Sequence, residues 1–212
     1  ILYRQGNQYQ IVLCDLLFEI PTTKDSLLRK AIDQIPHIFL PSVNYGSENP
    51  RILQDLPGGP AAFTTSTAWM GLSANLNKLA LIDRHGKKTI PLCMAEEYLG
   101  IRFRKIGPFL SSKHKLYFNS IYPDQQISNF DLEDKSINST TVITLSDLLH
   151  IKTIAGEDAL KEYCEKNIIV IGDFEKDVHN TFRGTTAGSL IVLNTMLSVI
   201  NEENIINGYW LI

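Results

Sequence analysis

The densest run of reactive side chains is Asp173-Phe174-Glu175-Lys176-Asp177-Val178-His179, followed closely by Arg183. Two aspartates and an imidazole within seven positions can do two kinds of chemistry. Carboxylate and imidazole together suit a divalent metal such as Zn, Mn or Fe. They can also pair with each other, or cap a helix, and simply hold a loop in place. The spacing matches no standard metal motif. Downstream, Gly184-Thr185-Thr186 and Gly188 lead into an apolar segment. Free backbone N–H groups at a helix start can hold an anion, and glycines allow close approach. No Gly-Lys-Ser/Thr follows, so this is not a P-loop; a tight turn with Thr185 or Thr186 as N-cap is the favoured reading.

These groups are positioned by the elements around them. Ile11 to Leu17 is a short, nearly continuous apolar run, as expected for a strand covered on both faces. Thr22 and Thr23 offer N-caps. Leu27, Leu28, Ala31, Ile32 and Ile35 follow at helical spacing until Pro36, and His37 to Val43 is apolar again. Strand, helix and strand in so few residues form a βαβ unit with parallel strands. Asn44 to Gly59 reads as loop. Leu79 to Ile82 and Lys88 to Leu92 flank Asp83-Arg84-His85-Gly86 as a hairpin. Met94 to Leu99 is a helical turn ended by Gly100, and Ile101 to Ile106 is a half-buried strand. Asp131 to Thr141 is polar and exposed. Ser146 caps a short helix through Leu149, and Glu157 to Lys166 is another helix with Leu160, Tyr163 and Cys164 on one face. Ile168 to Ile171 is a buried strand closed by Gly172, Asp173 to Thr186 a polar loop, and Ala187 to Ile200 the last helix, with Leu190, Leu193, Leu197 and Ile200 inward. The fold class expected is therefore α/β: a single domain over residues 1–212, its mostly parallel sheet flanked by helices, with an antiparallel excursion from about Leu79 to Phe118.

In an open parallel sheet, ligands bind beyond the carboxyl ends of the strands. Applied here, that rule gathers Asp15 and Glu19 from the first strand, Asn44 and Tyr45 after the second, and Asp173, Asp177, His179 and Arg183 after the last as candidate ligand contacts. No catalytic residue is assigned. There is no Gly-x-Ser-x-Gly elbow, and Cys14 lies inside an apolar run, where it acts as a small hydrophobe.

Composition narrows the function classes. With 212 residues, 44% hydrophobic, 20% charged and a formal net charge of −3, the chain can bury a core and has no long-range pull toward nucleic acid or an anionic membrane. Arg102, Arg104, Lys105, Lys113, His114 and Lys115 interleave with Phe103, Phe109, Tyr117 and Phe118. Such alternation fits a strand with one charged side in water better than a base-stacking platform. The three cysteines, Cys14, Cys93 and Cys164, form neither a disulfide framework nor a metal motif. No stretch reaches the roughly 20 apolar residues of a membrane span, and no secretory signal is present. The start at Ile1 and the end at Tyr209-Trp210-Leu211-Ile212 read as a segment cut from a longer protein, the aromatic pair fitting equally the approach to a membrane helix and a plain hydrophobic C-terminus.

Several of these pieces occur together in one family. The run Asn167-Ile168-Ile169-Val170-Ile171-Gly172, then Thr181, Gly184 and Gly188, an apolar helix and an aromatic end resemble the second class of CHASE domains, the cyclase- and histidine-kinase-associated sensory extracellular domains. Asp15-Leu16-Leu17-Phe18-Glu19 resembles the end of that family's early strand. Asp83 to Lys88 resembles its acidic-glycine turn, and Ile143 to Leu149 the short helix before its last strand. The family's usual first strand, with its acidic pair and nearby Trp-Pro segment, is absent or lies upstream of Ile1. The resemblance runs from about Ile11 to Ile212. It implies an extracytoplasmic, periplasmic input domain of a bacterial inner-membrane receptor, non-catalytic and without a cofactor. Its partners would be a small-molecule or envelope signal, the membrane through flanking helices, and optionally a second copy, with no nucleic acid. The alternatives are a metal-dependent hydrolase using Asp173, Asp177 and His179 with Asp15, and an envelope scaffold.

Overall fold

A computed structural model describes residues 2–4, 11–16, 23, 25–33, 35, 37–40, 79–82, 86, 88–122, 140–141, 143–164, 167–181 and 184–206. Its centre is a five-stranded sheet. β1 (Leu2–Arg4), β2 (Ile11–Asp15), β3 (Ile38–Phe39), β9 (Thr140–Thr141) and β10 (Asn167–Gly172) lie in the order β3-β2-β10-β1-β9. β2 runs parallel to both its neighbours, pairing Val12 with Ile38 and Ile168, Val170 and Gly172 with Ile11, Leu13 and Asp15. β1 runs antiparallel to β10 and to β9. The expected α/β mixture with parallel strands is present, but among the described residues this sheet is evenly mixed rather than mostly parallel.

The alternation of side chains along the parallel strands divides the core between two faces. Ile11, Leu13, Phe39, Ile168 and Val170 point to the larger cluster. Val12, Cys14, Ile38 and Leu40 point to the smaller one, where they meet α1 (Asp25–Asp33). The strand–helix–strand unit is thus formed by β2, α1 and β3 as its apolar spacing implies. The helix presents a narrower stripe than expected. Leu28, Ile32 and the following Ile35 pack on the sheet, whereas Leu27 is 63% exposed and Ala31 also faces out.

The larger cluster is built around α4 (Gly188–Ile200), which packs against β10 and α2 (Ile90–Leu99). Its residues Leu190, Ile191, Val192, Leu193, Met196, Leu197 and Val199 are all buried, so apolar side chains surround it on every side. The expected stripe of Leu190, Leu193 and Leu197 is therefore only part of its buried surface. Thr195, buried in mid-helix, satisfies its hydroxyl by donating to the Ile191 carbonyl at 2.6 Å. No described helix is long and apolar enough to cross a membrane.

The middle of the chain is antiparallel, as expected, though its boundaries differ. β4 (Leu79–Ala80) pairs with β8 (Ser120–Ile121), and Ile82 bridges Lys88. The segment read as a strand from Lys88 to Leu92 becomes helix at Ile90. Pro91 is the reason: in the first turn of α2 its missing N–H costs nothing and its fixed φ suits a helix. Gly100 closes α2 with a left-handed φ of 60°. β5 (Arg104–Ile106), β6 (Phe109–Ser112) and β7 (Lys115–Phe118) then form a small sheet of their own, shorter than the expected Ile101–Ile106 strand at its start.

The β6–β7 turn places Lys113 and His114 at φ 45° and 65°. Two-residue hairpin turns require this geometry and favour Asn-Gly, because side chains with a Cβ are strained there. Replacing Lys113-His114 by Asn-Gly should raise the unfolding free energy by about 1 kcal/mol. A higher urea midpoint at unchanged slope would report this, and an unchanged or lower midpoint would contradict it.

Two further boundaries differ. Leu145–Cys164, α3, is helical on both sides of a break at Gly156, whose φ 88° and ψ 175° are not helical; the two helices expected are present, but the first runs on past Leu149 to that break. Its N-terminal cap is Thr144, not Ser146. The Thr144 hydroxyl accepts the Asp147 N–H at 3.0 Å and donates to the Asp147 carboxylate at 2.7 Å. The polar stretch between β10 and α4 is not a loop throughout: β11 (Val178–Thr181) and β12 (Gly184–Ala187) pair as a hairpin. The Asn44–Gly59 loop and most of Asp131–Thr141 lie outside the described residues.

Candidate functional site

β2 and β10 end side by side, with Asp15 opposite Gly172. Beyond them the chain turns on Asp173, whose Oδ1 accepts the N–H groups of Glu175 at 3.1 Å and Lys176 at 2.9 Å. These two bonds hold its carboxyl below the ordinary aspartate range. The half-buried Phe174 packs against the core and anchors the turn. Asp173 thus spends its carboxylate on local structure, as Asp commonly does in turns.

The turn delivers Asp177 to the start of α4. Its carbonyl accepts the Gly188 N–H at 2.7 Å, and its carboxylate accepts from or pairs with His179 Nε2 at 3.1 Å. One residue further, the buried Ser189 hydroxyl donates to Asp15 Oδ2 at 2.9 Å. Both close approaches depend on missing Cβ atoms. A Cβ on Gly172 would stand 2.0 Å from Ser189 Oγ, and one on Gly188 would stand 2.3 Å from Asp177 Oδ2. The N-cap residue of α4 is Ala187, which has no side-chain cap, so neither Thr185 nor Thr186 caps the helix. Two carboxylates of the chain itself lie at this end instead, where the helix dipole favours negative charge.

Of the candidate contacts, Asp15, Asp177 and His179 are therefore brought together at the carboxyl edge of the parallel strands. Asp173 is adjacent but committed to its turn. Glu19, Asn44, Tyr45 and Arg183 lie outside the described residues. Ser189 was not among the candidates. Its only trace in the sequence is the pair of small residues Gly188-Ser189 at the start of the last helix.

Burial raises the Asp15 carboxyl above the ordinary aspartate range. The Ser189 bond opposes that shift, the Asp177 charge adds to it, and His179 lowers it. The folded chain then keeps this proton to higher pH than the unfolded chain does. Stability from this group is greatest below the ordinary aspartate range and falls as pH rises through the raised one. The wild-type unfolding free energy, measured relative to Asp15→Asn, should therefore decline with rising pH across that window. A flat difference would show that Asp15 titrates alike in both states.

The remaining nucleophiles are subdued. Burial pushes the Cys14 thiol up, and Cys93 rises to about 11 for the same reason. All three cysteines are free. Among the described residues, no three His, Cys, Asp or Glu side chains gather in metal-binding geometry. What the edge offers is hydrogen-bond acceptors at Asp15 and Asp177 and an imidazole at His179, a set suited to a ligand rich in N–H or O–H donors.

No protein-family model, curated protein or solved structure matches the chain.

Proposed function

We propose that the chain is the extracytoplasmic sensory domain of a bacterial membrane signal-transduction protein, with its input at the edge formed by Asp15, Asp177, His179 and Ser189. On this reading the parallel strands β3, β2 and β10, with helices over both faces, are the α/β core of one sensory domain spanning residues 1–212. The resemblance of the ordered sequence segments supplies the cellular setting. The site supplies the means of response, and one observation carries it: the Ser189–Asp15 hydrogen bond. It ties the end of a central strand to the first turn of the most deeply buried helix. A ligand that takes Asp15 as its acceptor competes directly with that tie, and so favours one placement of α4 over another. Only such differential binding can shift a conformational population.

The course of the chain revises how a shift would be relayed. The last helix does not run straight out of the domain. After Ile200 it turns through Asn201–Asn204, and the main chain of Asn204 and Ile206 hydrogen-bonds Phe118 and Leu116 of β7. Movement of α4 would thus be passed first to the small antiparallel sheet.

The setting is tested in the full-length gene by fusing alkaline phosphatase after Ile206. Active phosphatase is expected if the domain faces the periplasm. An inactive phosphatase with a fluorescent cytoplasmic reporter at the same junction would overturn the reading.

A further inference from the structure

Residues 101–122 contain Arg102, Arg104, Lys105, Lys113, Lys115 and His114, and not one Asp or Glu, in a chain whose net charge is −3. The fold turns this local excess into a surface. In the β5–β6–β7 sheet the cross-strand rows are Arg104, Ser111 and Leu116, and Ile106, Phe109 and Phe118. Side chains of these rows share one face, because cross-strand partners point the same way. The opposite face carries Leu110 and Tyr117 into the core, where Tyr117 meets Phe103 edge to face at 5.1 Å. The first face is therefore the outer one. Ile106 is 55% exposed on it and Phe118 42%.

Arg104 stands in the first of these rows, and Lys113 and His114 form the β6–β7 turn beside them, whereas Lys105 and Lys115 are in register with Leu110 and Ser112 on the opposite face. Arg104, Lys113 and His114 are exposed. Two others are partly neutralised: Lys115 by Glu202, and Arg102 by Glu96. Glu203 is also exposed on the turn next to β7. Toward the hairpin tip, Lys113 and His114 hold strained left-handed conformations.

We propose that the outer face of the β5–β6–β7 sheet docks on a bilayer containing anionic lipid, with Ile106, Phe109 and Phe118 entering the interface and Arg104 and Lys113 meeting lipid phosphate. Charge complementarity selects an anionic partner, and the apolar centre selects a lipid surface. A nucleic acid would need flat, open aromatic faces for stacking. Here Phe109 and Phe118 pack on each other, 6.0 Å apart and tilted by 57°, with aliphatic Ile106 beside them. The continuation of the chain agrees with the choice. Ile206 is bonded to the edge of β7, and the next residues in the sequence include Tyr209 and Trp210, the aromatic types that favour the headgroup region. The small net charge forbids only a long-range pull; a contact surface needs local charge, which falls off within a Debye length. The inference goes beyond the sensory reading and does not rest on it.

Co-sedimentation of the purified chain with vesicles tests it. Binding to phosphatidylcholine vesicles containing phosphatidylglycerol should exceed binding to pure phosphatidylcholine about tenfold, and should weaken as salt is added. Arg104→Glu with Lys113→Glu should lower the phosphatidylglycerol binding about tenfold. Ile106→Ser should weaken it while leaving its salt dependence in place. Lys152→Glu, an exposed change on α3, should have no effect. Equal binding to both vesicle types, an unaffected double charge variant, or binding to an oligonucleotide in preference to the anionic vesicles would overturn the proposal.

Discussion

Glu96→Ala should lower the unfolding free energy by about 2–3 kcal/mol, the cost of leaving a buried N–H without its charged acceptor and a partly buried lysine without its counter-charge. Glu96 is 3% exposed and sits where three segments meet. Its Oε1 accepts from Lys88 Nζ and, at 2.6 Å, from the main-chain N–H of Phe103, and its Oε2 lies 3.4 Å from an Arg102 nitrogen. One carboxylate thereby fixes α2 to the Ile82–Lys88 bridge and to the entry of the basic sheet. Truncation leaves the Phe103 N–H buried without an acceptor and Lys88 without its counter-charge. Glu96→Gln keeps an acceptor for Phe103 and should cost less. Urea unfolding of both variants measures the pair; a loss under about 1 kcal/mol for the alanine would show the cluster to be as weak as a surface salt bridge.

The second large effect is at the candidate site. Gly172→Ala should destabilise by about 2–3 kcal/mol, because its Cβ would overlap the Ser189 hydroxyl and drive it off Asp15. Ser189→Ala alone should cost about 1–2 kcal/mol through the lost bond to a charged acceptor. The double variant should cost less than the two single changes together, by about 1 kcal/mol or more, since the overlap needs the very oxygen that the second change removes. Additive costs in this cycle would mean that Gly172 and Ser189 are not in contact.

The parts of the fold that were legible in the sequence are those where one pattern dominates locally. Ile11 to Asp15 is apolar at nearly every position because β2 is covered on both faces, and Leu28, Ile32 and Ile35 keep helical spacing because only that stripe meets the sheet. The β11–β12 hairpin was not legible. Val178-His179-Asn180-Thr181 and Gly184-Thr185-Thr186-Ala187 are polar or small on both faces, so no alternation distinguishes them from loop. Lys88 to Leu92 looked like a strand because a helix begun by Pro91 is apolar through its first turn.

The site divides in the same way. That Asp15, Asp177 and His179 lie near one another follows from the order of the parallel strands, beyond whose ends side chains converge. Asp173 lies beside them, and residue type alone does not reveal that its carboxylate is taken up by its own turn. Ser189 depends on a contact across 174 positions of chain, which no local pattern reveals. Glu96 is inconspicuous in the sequence for a related reason: its donors come from before and after α2, and only the fold makes them converge.

On the proposed function, a signal enters through the Asp15–Ser189 tie. Amide spectra of the isotope-labelled chain, recorded while fractions of a bacterial periplasmic small-molecule extract are added, test it most directly. One fraction should shift the resonances of Asp15, Gly172, Gly188 and Ser189 together, and Ser189→Ala should change the concentration needed. Shifts confined to other parts of the chain, or shifts at this edge that Ser189→Ala leaves unaltered, would contradict it.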